Sequence, residues 1–118
     1  MSKKKERLSR EVKYSISDIL MREIKDPRIG FVTVMDVEVS DDYKYAKVFI
    51  SVMGEESDVT KSFRCLESAR GFVQKELGKR LKAKYTPIIN WMRDKTVDKT
   101  MRITELLNED QKNEAEGE

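Results

Sequence analysis

Along this chain the hydrophobic residues change their period once, and that change decides which folds remain open. From about Lys5 to Lys25, Leu8, Val12, Ile16, Ile19, Leu20 and Ile24 recur in steps of three and four, which traces one face of an α-helix. Asp26-Pro27 ends the pattern, because proline disfavours the α conformation in the residue before it. "DPRIG" then reads as a turn with Gly30 free to take a positive φ. Beyond it the period is two. Val37 and Val39 alternate with Asp36, Glu38 and Ser40, and Ala46, Val48, Ile50 and Val52 alternate with Lys47, Phe49 and Ser51. Two strands joined by the short link "DDYK" form an antiparallel hairpin.

After the hairpin, "GEESD" is a loop that ends in an N-cap at Ser57 or Asp58. Val59, Phe63, Leu66 and Ala69 mark a second helix, and Phe72 or Val73, Leu77 and Leu81 mark a third. Gly71 stands between them, where glycine in a helix interior costs about 1 kcal/mol relative to alanine. Thr86-Pro87 leads into a third strand, "IINWMRD", with Pro87 tolerable because it stands first. Trp91 alternates with Ile89 there, which favours core or edge packing over base stacking. "MRITELL" offers one short closing helix, and residues 108–118, "NEDQKNEAEGE", lack apolar content and are expected to be a disordered acidic tail. The order helix-strand-strand-helix-helix-strand predicts one two-layer α+β domain over residues 1–107.

A chain of 118 residues is the size of one domain, and its 38% hydrophobic content supports one modest core. The formal net charge of +2 conceals a segregated distribution: residues 61–104 carry +8, while residues 27–60 carry −4 and residues 105–118 carry −5. A basic third beside an acidic middle is the footprint of a polyanion binder, although a solvated helical face would also carry such charge. No apolar run approaches the roughly 18 residues needed to span a bilayer, and Met1 to Arg10 lacks the apolar region of a signal peptide. One cysteine, Cys65, cannot form an internal disulfide, so a cytoplasmic protein is expected. The chain has no histidine, no P-loop and no dinucleotide-binding glycine pattern. Cys65 reads as a small buried hydrophobe. These features predict a binding protein without catalytic residues, cofactor or metal. A module that meets an acidic protein through its basic face is the alternative, and a small RNA-processing enzyme is a weaker one.

"KDPRIGFVTVMDVEVSDDYKYAKVFISV", Lys25 to Val52, together with "SARGFVQKELGKRL", Ser68 to Leu81, resembles the bacterial ribosome-binding factor A family. The likeness runs from about Arg7 to Leu107. It implies a type II KH-like (K-homology) fold in which an Ala-x-Gly interhelical kink, here Ala69-Arg70-Gly71, replaces the nucleic-acid-clamping Gly-x-x-Gly loop of ordinary members. On that reading the kink aims the third helix and presents Lys75, Lys79, Arg80, Lys82 and Lys84 to RNA, with Arg70 placed for a direct phosphate contact. The family's third strand usually carries a basic residue near the position of Asn90, and glycine commonly stands where this chain has Thr100. No apolar stripe is obviously spare, so a monomer is the default, and the resemblance further implies a non-catalytic assembly factor. Its partners would be the 30S ribosomal subunit and 16S rRNA in late maturation, with a role in rRNA processing and cold adaptation, and no membrane.

Overall fold

The computed structural model describes residues 3–81 and 85–94. Helix α1 spans Lys3–Arg22, a 3-10 helix spans Pro27–Phe31, and strands β1 (Val32–Val39) and β2 (Tyr45–Val52) follow. Helix α2 spans Glu56–Arg80 and strand β3 spans Ile88–Arg93. The expected "MRITELL" helix, the acidic tail and the domain end at residue 107 lie outside the described residues. The sheet has the order β1-β2-β3, with β1 antiparallel and β3 parallel to the central β2. Both helices cover one face of it, so the architecture is α+β in two layers.

The core follows from the two periods. Val12, Ile16, Ile19 and Leu20 of α1 meet Val34, Val37 and Val39 of β1 and Ala46, Val48, Ile50 and Val52 of β2, all of them buried. In β1 the inward residues Val34 and Val37 stand three apart, which a regular strand cannot provide. A bulge between Val34 and Asp36 absorbs the extra residue, Met35, and restores the inward phase. The hairpin link is held by Asp42, whose carboxylate accepts from the Lys44 amide at 3.1 Å and the Ser40 hydroxyl at 2.6 Å. Tyr43 takes φ 63° at the corner.

The "KDPRIG" segment is a joint. The Asp26 carboxylate caps the 3-10 helix by accepting from the Arg28 amide at 3.0 Å, and it also grips the Arg28 guanidinium. Arg28 reaches α2 through the Lys61 carbonyl at 3.4 Å, and the Ser62 hydroxyl donates to the Arg28 carbonyl at 3.3 Å. The hydrogen bonds from Arg28 hold the Asp26 carboxyl far below the usual carboxylate range. Gly30 lies inside the 3-10 helix, and among the described residues positive φ belongs to Tyr43 and Gly54 instead.

Three expectations about α2 are corrected. Its N-cap is Glu55, ahead of the predicted Ser57 or Asp58, and the Asp58 carboxylate accepts the Glu55 amide at 2.8 Å. Gly54 makes that turn at φ 121°, and a Cβ there would sit 2.5 Å from the Asp58 carboxylate. Second, the predicted second and third helices are one helix, hydrogen-bonded from Glu56 to Arg80 without interruption at Gly71. Third, Gly71 needs no special backbone: it is exposed, and a Cβ would meet no neighbour within 4 Å outside its own helix. Packing outweighs propensity here. Leu66, Val73 and Leu77 are fully buried on either side, and each such burial contributes about 1.5–3 kcal/mol against about 1 kcal/mol for one helical glycine.

Strand β3 has a free edge, and α2 covers it. The Gln74 side-chain amide donates to the Pro87 carbonyl at 2.8 Å and accepts from the Ile89 amide at 2.9 Å. Arg70 donates to the Ile89 carbonyl at 3.1 Å. Three backbone groups at the edge are thereby satisfied by side chains, which blunts an otherwise adhesive strand. Trp91 packs half-buried against the core, as its alternation with Ile89 predicts.

Candidate nucleic-acid interface

Of the six basic residues predicted from sequence, four are described, and their surroundings differ. Arg70 is committed to Ile89 and also pairs with Glu67 at 3.6 Å. Arg80 donates to Asp18 at 2.6 Å and to Glu23 at 3.4 Å, tying the end of α2 to α1. The Asp18 hydrogen bond raises the Arg80 pKa further and lowers that of Asp18. Lys82 and Lys84 lie outside the described residues. Lys75 and Lys79 are exposed one turn apart on the same face. Lys79 is 3.1 Å from Glu76, a surface pair of the kind worth about 0–1 kcal/mol and easily exchanged for another anion.

Helix geometry extends that face toward the N-terminus. Lys61, Arg64, Ser68, Gly71, Lys75 and Lys79 follow one another at spacings of three and four and are all exposed. At a rise of about 1.5 Å per residue this stripe is about 27 Å long. It contains no acid. Its flanking acids, Glu67 and Glu76, are engaged by Arg70 and Lys79. Lys61, Arg64 and Lys75 have no ion pair among the described residues, and Ser68 and Gly71 leave the middle bare of long side chains. A helix ended at Gly71 leaves Lys61 and Arg64 out of the predicted surface. The signal that includes them is their 3/4 spacing from Lys75 and Lys79.

Among the described residues no comparable arrangement points to catalysis. Among the described residues no group of three His, Cys, Asp or Glu side chains is placed to hold a metal ion. Cys65 is buried against Asp26 and Arg28, and burial pushes its thiol pKa up, so the reactive thiolate is disfavoured. A cleft of about 890 Å³ between α1 and β1 mixes Lys5, Arg10 and Lys47 with Glu6, Asp36, Glu38 and Asp41 and gathers no single charge. No helix of the described residues is long and apolar enough to cross a membrane.

Comparison with known proteins agrees with this geometry. The family model for ribosome-binding factor A matches residues 4–107. The ribosome-binding factor A of Halothermothrix orenii is 48% identical over 101 residues, covering 86% of this chain and 83% of its own. A Thermotoga maritima protein solved by NMR superposes with a TM-score of 0.70 at 28% identity, covering 81% of this chain and 92% of its own. A Thermus thermophilus ribosome-binding factor A model, fitted into a cryo-EM map of a 30S complex of that factor, superposes with a TM-score of 0.62 at 22% identity. It covers 75% of this chain and 92% of its own, and at that identity the likeness speaks for the fold. The chain, on these matches and its α+β architecture, belongs to the ribosome-binding factor A family.

Proposed function

We propose that this protein is a non-catalytic assembly factor that binds free 30S subunits during late maturation, supports 16S rRNA processing, including during cold adaptation, and leaves before translation. It acts in the cytoplasm as a monomer and needs no cofactor. Family membership supports ribosome binding. The observation that carries the RNA side of the reading is the acid-free basic stripe Lys61–Arg64–Lys75–Lys79 on α2, with Lys82 and Lys84 continuing the positive charge in sequence. A straight row of lysines and arginines suits phosphate contacts on a folded RNA rather than base reading. The type II KH-like comparison keeps its RNA-binding implication through this stripe, without the interhelical kink and without Arg70 or Arg80 as phosphate contacts.

The test is sedimentation of tagged protein in a gradient of cell lysate, repeated over a salt series. Co-migration with 30S particles, absence from 70S particles and a steep loss with added salt are the expected outcome. A partner that survives nuclease treatment, with no 30S co-migration, would favour the acidic-protein alternative.

A further inference from the structure

The stripe contains no aromatic side chain, yet α1 leaves one in water. Tyr14 is 75% exposed on the side of α1 away from the buried Val12, Ile16 and Ile19. It lines a groove of about 490 Å³ between α1 and the C-terminal end of α2, together with Arg7, Arg10, Glu11, Ser15, Arg80 and Leu81. Arg7 and Arg10 lie two turns and one turn before Tyr14 on its own helix, so the three share one face of α1 along the groove. Neither arginine has a hydrogen bond or ion pair among the described residues. Arg80, on the far wall, is already bound by Asp18 and Glu23 and serves as scaffold. Leu81, nearly buried at the groove's end, is followed in sequence by Lys82 and Lys84.

Resting on the RNA-binding reading above, we propose that this groove seats one unpaired nucleotide of RNA, its base stacked on Tyr14 and its adjoining phosphates held by Arg7 and Arg10. A flat aromatic beside two unengaged guanidinium groups matches the two chemistries of a nucleotide, a π face and a phosphate. The volume suits a ligand of nucleotide size and is far too small for a duplex, whose bases are in any case stacked inside. Glu11 repels phosphate from one wall, so the backbone runs along the arginine side. The Glu11 carboxylate then faces the base, where it accepts only from an exocyclic amine or ring N–H. The α2 stripe supplies attraction to any phosphate backbone, and the groove adds a requirement for an unstacked base.

The test uses the full chain with two probes, a short labelled single-stranded RNA and isolated 30S subunits, plus an RNA duplex of equal phosphate count as control. Tyr14→Ala should weaken single-strand binding by about five- to hundred-fold, Tyr14→Phe should retain it, and duplex binding should change little. Arg7→Gln with Arg10→Gln should lower the salt slope for single-stranded RNA by about 0.7 for each phosphate no longer neutralised. Tyr14 is exposed, so circular dichroism of the variants should superpose on the parent. Wild-type single-strand affinity in folded Tyr14→Ala would overturn the groove, and equal wild-type affinity for duplex and single strand would do the same. If 30S binding persists in either case, the assembly-factor reading stands without the groove. If the wild type ignores 30S subunits yet single-strand binding still depends on Tyr14, the groove stands and the assembly-factor reading falls.

Discussion

Replacing Gly71 with alanine should make this protein more stable, contrary to what a kink at that position requires. Gly71 lies inside α2, fifteen residues past its first residue Glu56 and nine before its last, Arg80. It is exposed and its absent Cβ has no neighbour within 4 Å outside the helix, so a methyl group there neither clashes nor fills a cavity. Two terms remain. Helix propensity favours alanine by about 0.8–1.0 kcal/mol, and that difference already contains most of the reduced entropy of the unfolded chain. The sum is a gain of about 1 kcal/mol, equivalent to a rise in Tm of about 4–8 °C for a domain of this size. Thermal and urea unfolding followed by circular dichroism measure it, and an unchanged urea m-value would show that the native surface is preserved. A Tm that falls by a few degrees would refute the continuous helix and restore a special backbone at Gly71.

Other perturbations probe separate joints of the fold. Gly54→Ala should cost about 1–3 kcal/mol, because φ 121° excludes a side chain and the new Cβ would strike the Asp58 carboxylate that anchors the α2 N-terminus; thermal unfolding reads it. Arg80→Glu should destabilise clearly, by placing a third acid beside Asp18 and Glu23, whereas Lys75→Glu on the open stripe should stay within about 0.5 kcal/mol. Asp26 has a folded-state pKa depressed by Arg28, so its stabilisation is present above the unfolded carboxyl pKa of about 3.9 and is lost as pH falls through the lower folded value. Asp26→Asn should therefore lower Tm near neutral pH, and the difference from the parent should vanish in strong acid.

Much of the fold is legible in the amino-acid order because local signals and tertiary packing agree. The single helical face from Leu8 to Ile24 and the alternating valines of the hairpin each specify one buried side, and both are buried as expected. Gly71 misleads when its propensity is weighed alone. The stripe Val59, Leu66, Ala69, Val73, Leu77 keeps its 3/4 phase straight through the glycine, and a real break would reset it. The β1 bulge is also legible, in the three-residue step from Val34 to Val37. The fates of Arg70 and Arg80 are not. Their partners Ile89 and Asp18 lie 19 and 62 residues away in sequence, and whether an arginine is spent on such a contact depends on which helix face meets which neighbour. The basic surface proposed for RNA accordingly runs as a stripe along the length of α2.

The proposed RNA binding rests on that stripe, and charge reversal probes it without intermediaries. Lys61, Arg64, Lys75 and Lys79 are all exposed and none holds a tertiary contact through its charged end, so a variant with all four changed to glutamate should keep the circular dichroism spectrum and cooperative unfolding of the parent. Its sedimentation with isolated 30S subunits is then the measurement, with Lys44→Glu and Lys47→Glu on the hairpin as the control pair. The folded quadruple variant should remain at the top of the gradient while the control pair still travels with the 30S peak. A folded quadruple variant that sediments with 30S subunits as the parent does would refute RNA binding through α2 and leave the stripe a solvated face.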